Sequence, residues 1–445
     1  MSQKAQNNAL DDVLASLLDR RRARNQLRGL TTVPDGTVDF SSNDYLSLSS
    51  QPAVQQAFLT RLQGALSPTT TGDNSRPSSL LGSGGSRLLD GNSLFAESLE
   101  CMLAEFHGAP AALLFNSAMD ANVGLFSCVP QPGDVIVYDR LIHASVHDGM
   151  RLSRASKRIP FAHSHVWDAP GDLGTSSSTA KSLEAVLRGL LQEPDGSQLG
   201  SGKRNVFIAV EGVYSMDGDV APLADIVECV ERYLCQGNGY IIVDEAHSAG
   251  IFGDRGQGLV SMVLCSPTTR SYLINYARTL IYTTAMAFPS LASIEAAYTF
   301  LAAGRAKQLR SHLEVLVQGT HKLLLTACAR HRPPPELLRV SPAKPRSPVI
   351  PVLTSRPRDL AKYCQQKGYM VRPIVAPTVP KGEERIRICL HAKNSIVEVE
   401  GLIKAMEEWL LEAMNREGEP EGRVVTETDQ SQPSTQDRAV REAKI

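Results

Sequence analysis

The stretch Tyr240-Ile-Ile-Val-Asp-Glu-Ala-His-Ser-Ala-Gly250 decides how the rest of the chain is read. It follows the turn signal Gly237-Asn238-Gly239, and Ile241, Ile242 and Val243 are β-branched. An unbroken apolar run of this kind is a strand buried on both faces, as in a parallel sheet. Its carboxyl end presents Asp244, Glu245 and His247. Open α/β sheets place their ligand crevice there. Taken alone, an aspartate at that point also serves as the cap of a following turn. The segments around it favour the ligand reading.

Upstream, Asn205 to Val213 is a second buried strand running into Tyr214-Ser-Met-Asp-Gly-Asp219, and Pro222 opens a helix with Leu223, Ile226, Val227, Val230 and Leu234 on one face. Asp134 to Asp139 is a strand followed by Arg140-Leu-Ile-His143-Ala-Ser145, and Lys157 to Phe161 is another. A helical pattern from Asn92 leads to the strand Ala111 to Phe115, then to Asn116-Ser-Ala-Met-Asp-Ala-Asn122. That small, polar segment opens the next helix and offers free N–H groups to an anion. The alternation from about 90 to 250 predicts an α/β fold with a doubly wound, mostly parallel sheet. Residues 167–203 are polar and Gly/Ser-rich and read as partly a loop insertion, and Leu81-Gly-Ser-Gly-Gly-Ser-Arg87 as a loop needing positive φ or close approach to a ligand.

Further out, residues 1–30 are helical with Leu10, Val13, Leu14, Leu17 and Leu18 at helical spacing. A helix from about Pro289 to Leu325 leads to a smaller α+β domain with strands at Val349 to Leu353 and Arg385 to Leu390 and a helix at 358–367 between them. A capping box, Ser395-Ile-Val-Glu398, opens the last helix. The expected division is an N-terminal helical arm (1–45), a large domain (46–285), a small C-terminal domain (286–414) and a disordered tail (415–445).

Composition sets bounds on function. A net charge of −1 gives no general attraction to nucleic acid or anionic membrane. No apolar run approaches a membrane span. The eight cysteines show no spacing suited to zinc, so no metal site is expected; they read as reduced core thiols of an intracellular protein, Cys229 and Cys235 sharing a helix. A cytoplasmic location follows, unless Ala443-Lys444-Ile445, which loosely resembles the S-K-L peroxisomal address, is read as one.

Several motifs in order resemble the α-oxoamine synthase family of pyridoxal-phosphate (PLP) enzymes, the class II aminotransferase-like members of fold-type I. They are Ser41-Ser-Asn-Asp-Tyr-Leu46, Gly82 to Arg87, Asp139 to Ser145, Glu211 to Asp219, Val243 to Gly250, Ile281-Tyr-Thr-Thr284, Pro377 to Pro380 and Arg385-Ile-Arg387. The resemblance implies condensation of an amino acid, alanine preferred, with an acyl thioester, pimeloyl preferred, with loss of CO2, as in biotin formation. A sibling acting on glycine, serine or a polyketide-derived acyl chain is the near alternative. It implies PLP as cofactor, small-molecule substrates and a homodimer.

By the same resemblance Asp244 holds the pyridine nitrogen's proton, which the cofactor needs in order to withdraw electrons. His143 stacks on the ring, and His247 and Ser215 lie near the phenolic oxygen. Backbone N–H groups around Ser117, Ala118 and Met119 bind the phosphate, although the family usually has glycine and an aromatic at the last two positions. Thr283 and Thr284 reach a phosphate, often the partner subunit's. Arg387 takes the amino-acid carboxylate, and Asn43 and Arg28 lie at the acyl-thioester entrance.

One part of the pattern is absent. The family's PLP lysine sits on a T-F-G-K type of segment between the counterparts of Asp244 and of Leu264-Cys-Ser266, yet only about twenty residues separate those points here, roughly half of what the family uses. No lysine lies between Lys203 and Lys307, and Lys307 belongs to a distant helix. A chain without it lacks both the covalent anchor and a well-placed base for the α-proton. Such a chain is either a truncated gene product of an active synthase or a catalytically dead pseudoenzyme or partner subunit. Missing strands would also leave apolar edges open.

Overall fold

The computed structural model describes residues 9–24, 26–66, 80–168, 181–253, 255–256 and 262–418. The strands are β1 (Val38–Asp39), β2 (Ala111–Leu114), β3 (Val135–Asp139), β4 (Lys157–Phe161), β5 (Val206–Glu211), β6 (Gly239–Asp244), β7 (Met262–Cys265), β8 (Val349–Leu353), β9 (Tyr369–Met370), β10 (Arg372–Ile374) and β11 (Arg385–Cys389). The helices are α1 (Ala9–Ala23), α2 (Pro52–Leu66), α3 (Leu94–His107), α4 (Ala118–Cys128), α5 (Ala144–Leu152), α6 (Leu183–Gln192), α7 (Gly196–Gly200), α8 (Leu223–Tyr233), α9 (Pro267–Tyr276), α10 (Arg278–Ile281), α11 (Phe288–Ala302), α12 (Lys307–His331), α13 (Pro357–Gln366) and α14 (Ile396–Gly418).

The central sheet is parallel in the order β4-β3-β5-β6, as the alternation predicts. Its middle is fully buried: Val206, Ile208 and Val210 of β5 and Val135 and Val137 of β3 are at most 3% exposed. β2 and β7 form a separate antiparallel pair, and β10-β11-β8 an antiparallel sheet. Glu100 ties the β2–β7 pair to its surroundings. At 2% exposure it accepts from Arg87 Nη1 at 2.7 Å, Arg270 Nη2 at 2.6 Å and the Leu114 N–H at 3.0 Å.

Several boundaries differ from the sequence reading. Residues 167–203 hold helix α6, whose Leu183, Val186, Leu187 and Leu190 are buried; this stripe is short and framed by Ser- and Gly-rich flanks that masked its helical period. The span from Pro289 breaks at Gly304, with φ +70°, into α11 and α12. The last helix extends to Gly418, so residues 415–418 are helical, and the rest of the expected tail, with Ala443-Lys444-Ile445, lies outside the described residues. The capping box is formed: Glu398 N–H donates to Ser395 Oγ at 3.2 Å and Ser395 N–H to Glu398 Oε2 at 2.7 Å. All eight cysteines are free, but Cys101 and Cys235 are exposed, and Cys235 falls just beyond α8 rather than on it. Among the described residues no helix is long and apolar enough to cross a membrane, and no cluster could hold a metal ion.

Candidate active site

Asp244 stands at the carboxyl end of β6, opposite Glu211 of β5. Its Oδ2 accepts from Asn122 Nδ2 at 2.7 Å and its Oδ1 from the Ala246 N–H at 3.0 Å. The same Asn122 amide donates to Ser145 Oγ at 2.9 Å, and that hydroxyl lies 2.8 Å from His143 Nδ1. A continuous hydrogen-bonded chain therefore joins Asp244 to His143 through Asn122 on α4 and Ser145 on α5. Asn122 and Ser145 both lie inside motifs visible in the sequence, but spacing alone does not show that their side chains bridge two strands.

Behind Asp244, Glu211 is 3% exposed and accepts the Ser215 N–H at 3.3 Å. Burial, reinforced by the charge of Asp244, pushes its carboxyl up to about 8. Burial also raises Glu245 and lowers His247 to about 4, the latter helped by the Arg387 charge. His247 is thus a neutral imidazole, with Nδ1 at 2.8 Å from the Tyr45 hydroxyl.

A second clamp holds the loop before His143. His163 bridges Asp139 at 3.0 Å and Asp219 at 2.8 Å. Burial works against its charge, but the two carboxylates outweigh it and raise its pKa to about 10. Asp139 also caps Leu141 and Ser164 through their N–H groups, each at 2.8 Å.

Ser117 caps α4, accepting the Asp120 N–H at 3.0 Å, and leaves Ala118 and Met119 in the first turn, where N–H groups face outward. Thr283 and Thr284 come to the same place within one chain: Asn116 Nδ2 donates to the Thr284 carbonyl at 2.7 Å. The glycine loop reaches it too, with Gly84 at φ +83° and the Ala285 N–H donating to the Gly85 carbonyl at 2.8 Å.

Arg387 on β11 donates to the Ser215 carbonyl at 3.0 Å and to Asn43 Oδ1 at 3.4 Å, and its buried Nε has no acceptor among the described residues. Among the described residues it has no carboxylate partner, unlike its neighbour Arg385, which pairs with Asp217. Arg28 lines a cavity of about 790 Å3 together with His143, Ser215, Thr378 and Lys381. Lys307 lies elsewhere, on a cavity with Ile251 and Phe252.

The family model for class I and II aminotransferases matches residues 35–261. The chain belongs to this family of PLP-dependent enzymes. Over 426 residues it is 47% identical to the 8-amino-7-oxononanoate synthase of Emericella nidulans, covering 90% of this chain and 96% of that protein. It is 32% identical to the aminoacyl transferase sphA of Aspergillus fumigatus, over 92% of this chain and 90% of that one. Among solved structures, the serine palmitoyltransferase of Sphingomonas wittichii superposes with a TM-score of 0.69 at 23% identity, covering 91% of this chain and 98% of that one. The 8-amino-7-oxononanoate synthase of Francisella tularensis gives 0.60 at 21% identity, over 86% and 100%. These likenesses show the PLP fold-type I architecture.

The residues present fit this cofactor in part. Asp244, held by the Asn122 amide, suits a protonated ring nitrogen, and the α4 N-terminus suits a phosphate. The amine that would anchor it covalently is missing from residues 204–306.

Proposed function

We propose that the site is built for a decarboxylating C-acyl transfer between an amino acid and an acyl thioester, with alanine and a pimeloyl thioester as the pair and biotin formation as the context. The observation that carries this reading is Arg387: a guanidinium held on neutral acceptors, with a buried and unpartnered Nε, beside the Asp244–Asn122–Ser145–His143 chain. It suits a substrate carboxylate. Bound PLP would supply the electron sink for the substrate's α-carbon. Around it Asp244 would hold the ring nitrogen's proton, His143 would pack on the ring, and His247 with Ser215 would face the phenolic oxygen. Ser117 to Met119, with Thr283 and Thr284, would hold the phosphate. Asn43 and Arg28 would border the thioester's path. The 47% identity to an 8-amino-7-oxononanoate synthase supports this substrate pair, and the sphA relative supports a sibling reaction as the alternative.

A second reading rests on the lysine-free stretch from Arg204 to Ala306: the chain acts as a non-catalytic subunit beside an intact homologue. A homodimer belongs to the first reading, as does a large PLP domain carrying a smaller C-terminal one. A peroxisomal location through Ala443-Lys444-Ile445 is compatible with either.

The deciding experiment has two arms. The transcript is sequenced across the codons for Leu259 to Leu264, and the purified chain is assayed with PLP, alanine and pimeloyl-CoA. Borohydride reduction and peptide mapping in the same sample report any lysine joined to PLP, Lys381 included. An in-frame insert bearing a lysine, with product formed only by the longer chain, supports the synthase. Turnover by the chain as it stands sinks the second reading, and a longer chain that binds PLP but forms no product sinks the first.

A further inference from the structure

Tyr45 reaches the candidate site from the Ser41–Leu46 segment, and its surroundings leave its ring little freedom. The side chain is 3% exposed. The ring lies nearly parallel to that of His391, with centroids 6.4 Å apart and planes 17° apart, and the Tyr45 carbonyl accepts the Ala392 N–H at 2.7 Å. Held this way, the hydroxyl stands between two polar atoms, His247 Nδ1 at 2.8 Å and Asn43 Oδ1 at 3.4 Å.

A tyrosine hydroxyl has one proton to give. Asn43 Oδ1 lies beyond the usual O–H···O range, whereas the contact with His247 is a full hydrogen bond. Burial pushes the Tyr45 hydroxyl well above its ordinary pKa, so it keeps its proton at neutral pH. Burial, helped by Arg387, lowers His247 to about 4, so the imidazole has one N–H to place. With Nδ1 accepting from Tyr45, that hydrogen sits on Nε2. Nε2 has no partner among the described residues, and the ring lies within electrostatic reach of Arg387, Asp244 and His143.

We propose that Tyr45 is a positioning residue for His247: its hydroxyl donates to Nδ1 and locks the imidazole as the Nε2–H tautomer, so that His247 offers the site a hydrogen-bond donor and no base. The lock is made by two residues 202 positions apart in the chain. The inference deepens the proposed function and rests on it in one respect, the acceptor that the donor meets, which is the phenolic oxygen of bound PLP. A donor there favours the ionised form of that oxygen, whereas the opposite tautomer would present a lone pair to it and disfavour that form.

The test is nitrogen NMR on the full chain with its ten histidines labelled with 15N in the ring, the His247 signals being assigned by their loss in His247→Gln. At pH 7, without PLP, Nδ1 is expected to be of the pyridine type and Nε2 of the pyrrole type. Tyr45→Phe keeps a ring beside His391 and removes only the hydroxyl, so the two nitrogen signals should move toward each other as the tautomers mix. A purely structural role for Tyr45 would not move them. In the PLP-loaded chain, the pH at which absorbance passes from the phenol to the phenolate form should rise in Tyr45→Phe by about half a unit to one unit. A pyrrole-type Nδ1 in the unsubstituted chain would overturn the proposal, whether or not Tyr45→Phe folds. So would His247 signals that Tyr45→Phe leaves in place, or a PLP titration that it leaves unchanged. Failure of the unsubstituted chain to bind PLP, with the expected tautomer present, would instead sink the reading of the site and leave the Tyr45–His247 lock standing.

Discussion

Glu211→Gln should change how stability depends on pH, and the structure gives the size. Glu211 is buried against Asp244, and its carboxyl rises from its ordinary 4.5 to about 8. Between those values the folded chain holds a proton that the unfolded chain has released. This contribution to stability is complete below the lower value and is lost as pH rises through the upper one. Each pH unit in that window then costs the native protein about 1.4 kcal/mol, or about 3.5 kcal/mol from about pH 5 to about pH 7.5. Glutamine fills the same space, still accepts the Ser215 N–H, and does not titrate. His247, lowered to about 4, pulls in the opposite direction between that value and its ordinary 6.5, because it charges more readily when unfolded. It is present in both proteins, so it cancels when the two are compared. Urea unfolding of both at several pH values should show the unsubstituted protein losing ground to Glu211→Gln as pH rises. Parallel curves would mean that Glu211 is ionised in the folded state, and the account of a protonated carboxyl behind Asp244 would fail.

Two further outcomes follow from the site. His163→Gln should remove a contribution that is complete below pH 6.5 and fades toward about pH 10, so the difference from the unsubstituted protein should shrink by about 1.4 kcal/mol per unit above neutrality; a difference that is flat from pH 7 to 9 would count against the Asp139–His163–Asp219 clamp. Asn122→Ala strips Asp244 of a charge-assisted donor worth about 2 kcal/mol, and PLP affinity, followed by absorbance, should fall by roughly thirtyfold. An unchanged affinity would separate Asp244 from the cofactor.

Much of this protein was legible in its sequence. The apolar runs at Val206 to Val210 and Tyr240 to Val243, the Pro222-led helix and the Ser395–Glu398 box each carry their structure locally, because strand and helix periods and caps are set by near neighbours. The motifs also single out Asp244, His143 and Arg387 as residues expected to serve a site. The loss of the lysine is also a sequence fact, since it needs only counting from Lys203 to Lys307. Tertiary structure alone decided how these pieces meet. Asn122 and Ser145 bridge Asp244 to His143 across residues far apart in the chain, and Glu211 holds its proton only because the β5–β6 register sets it against a second carboxylate in a dry interior. The sequence predicts that β6 is a central strand. Only the fold shows that, among the described residues, β5 is the one strand paired with it, because hydrogen bonds between strands are made by whatever the rest of the molecule brings alongside.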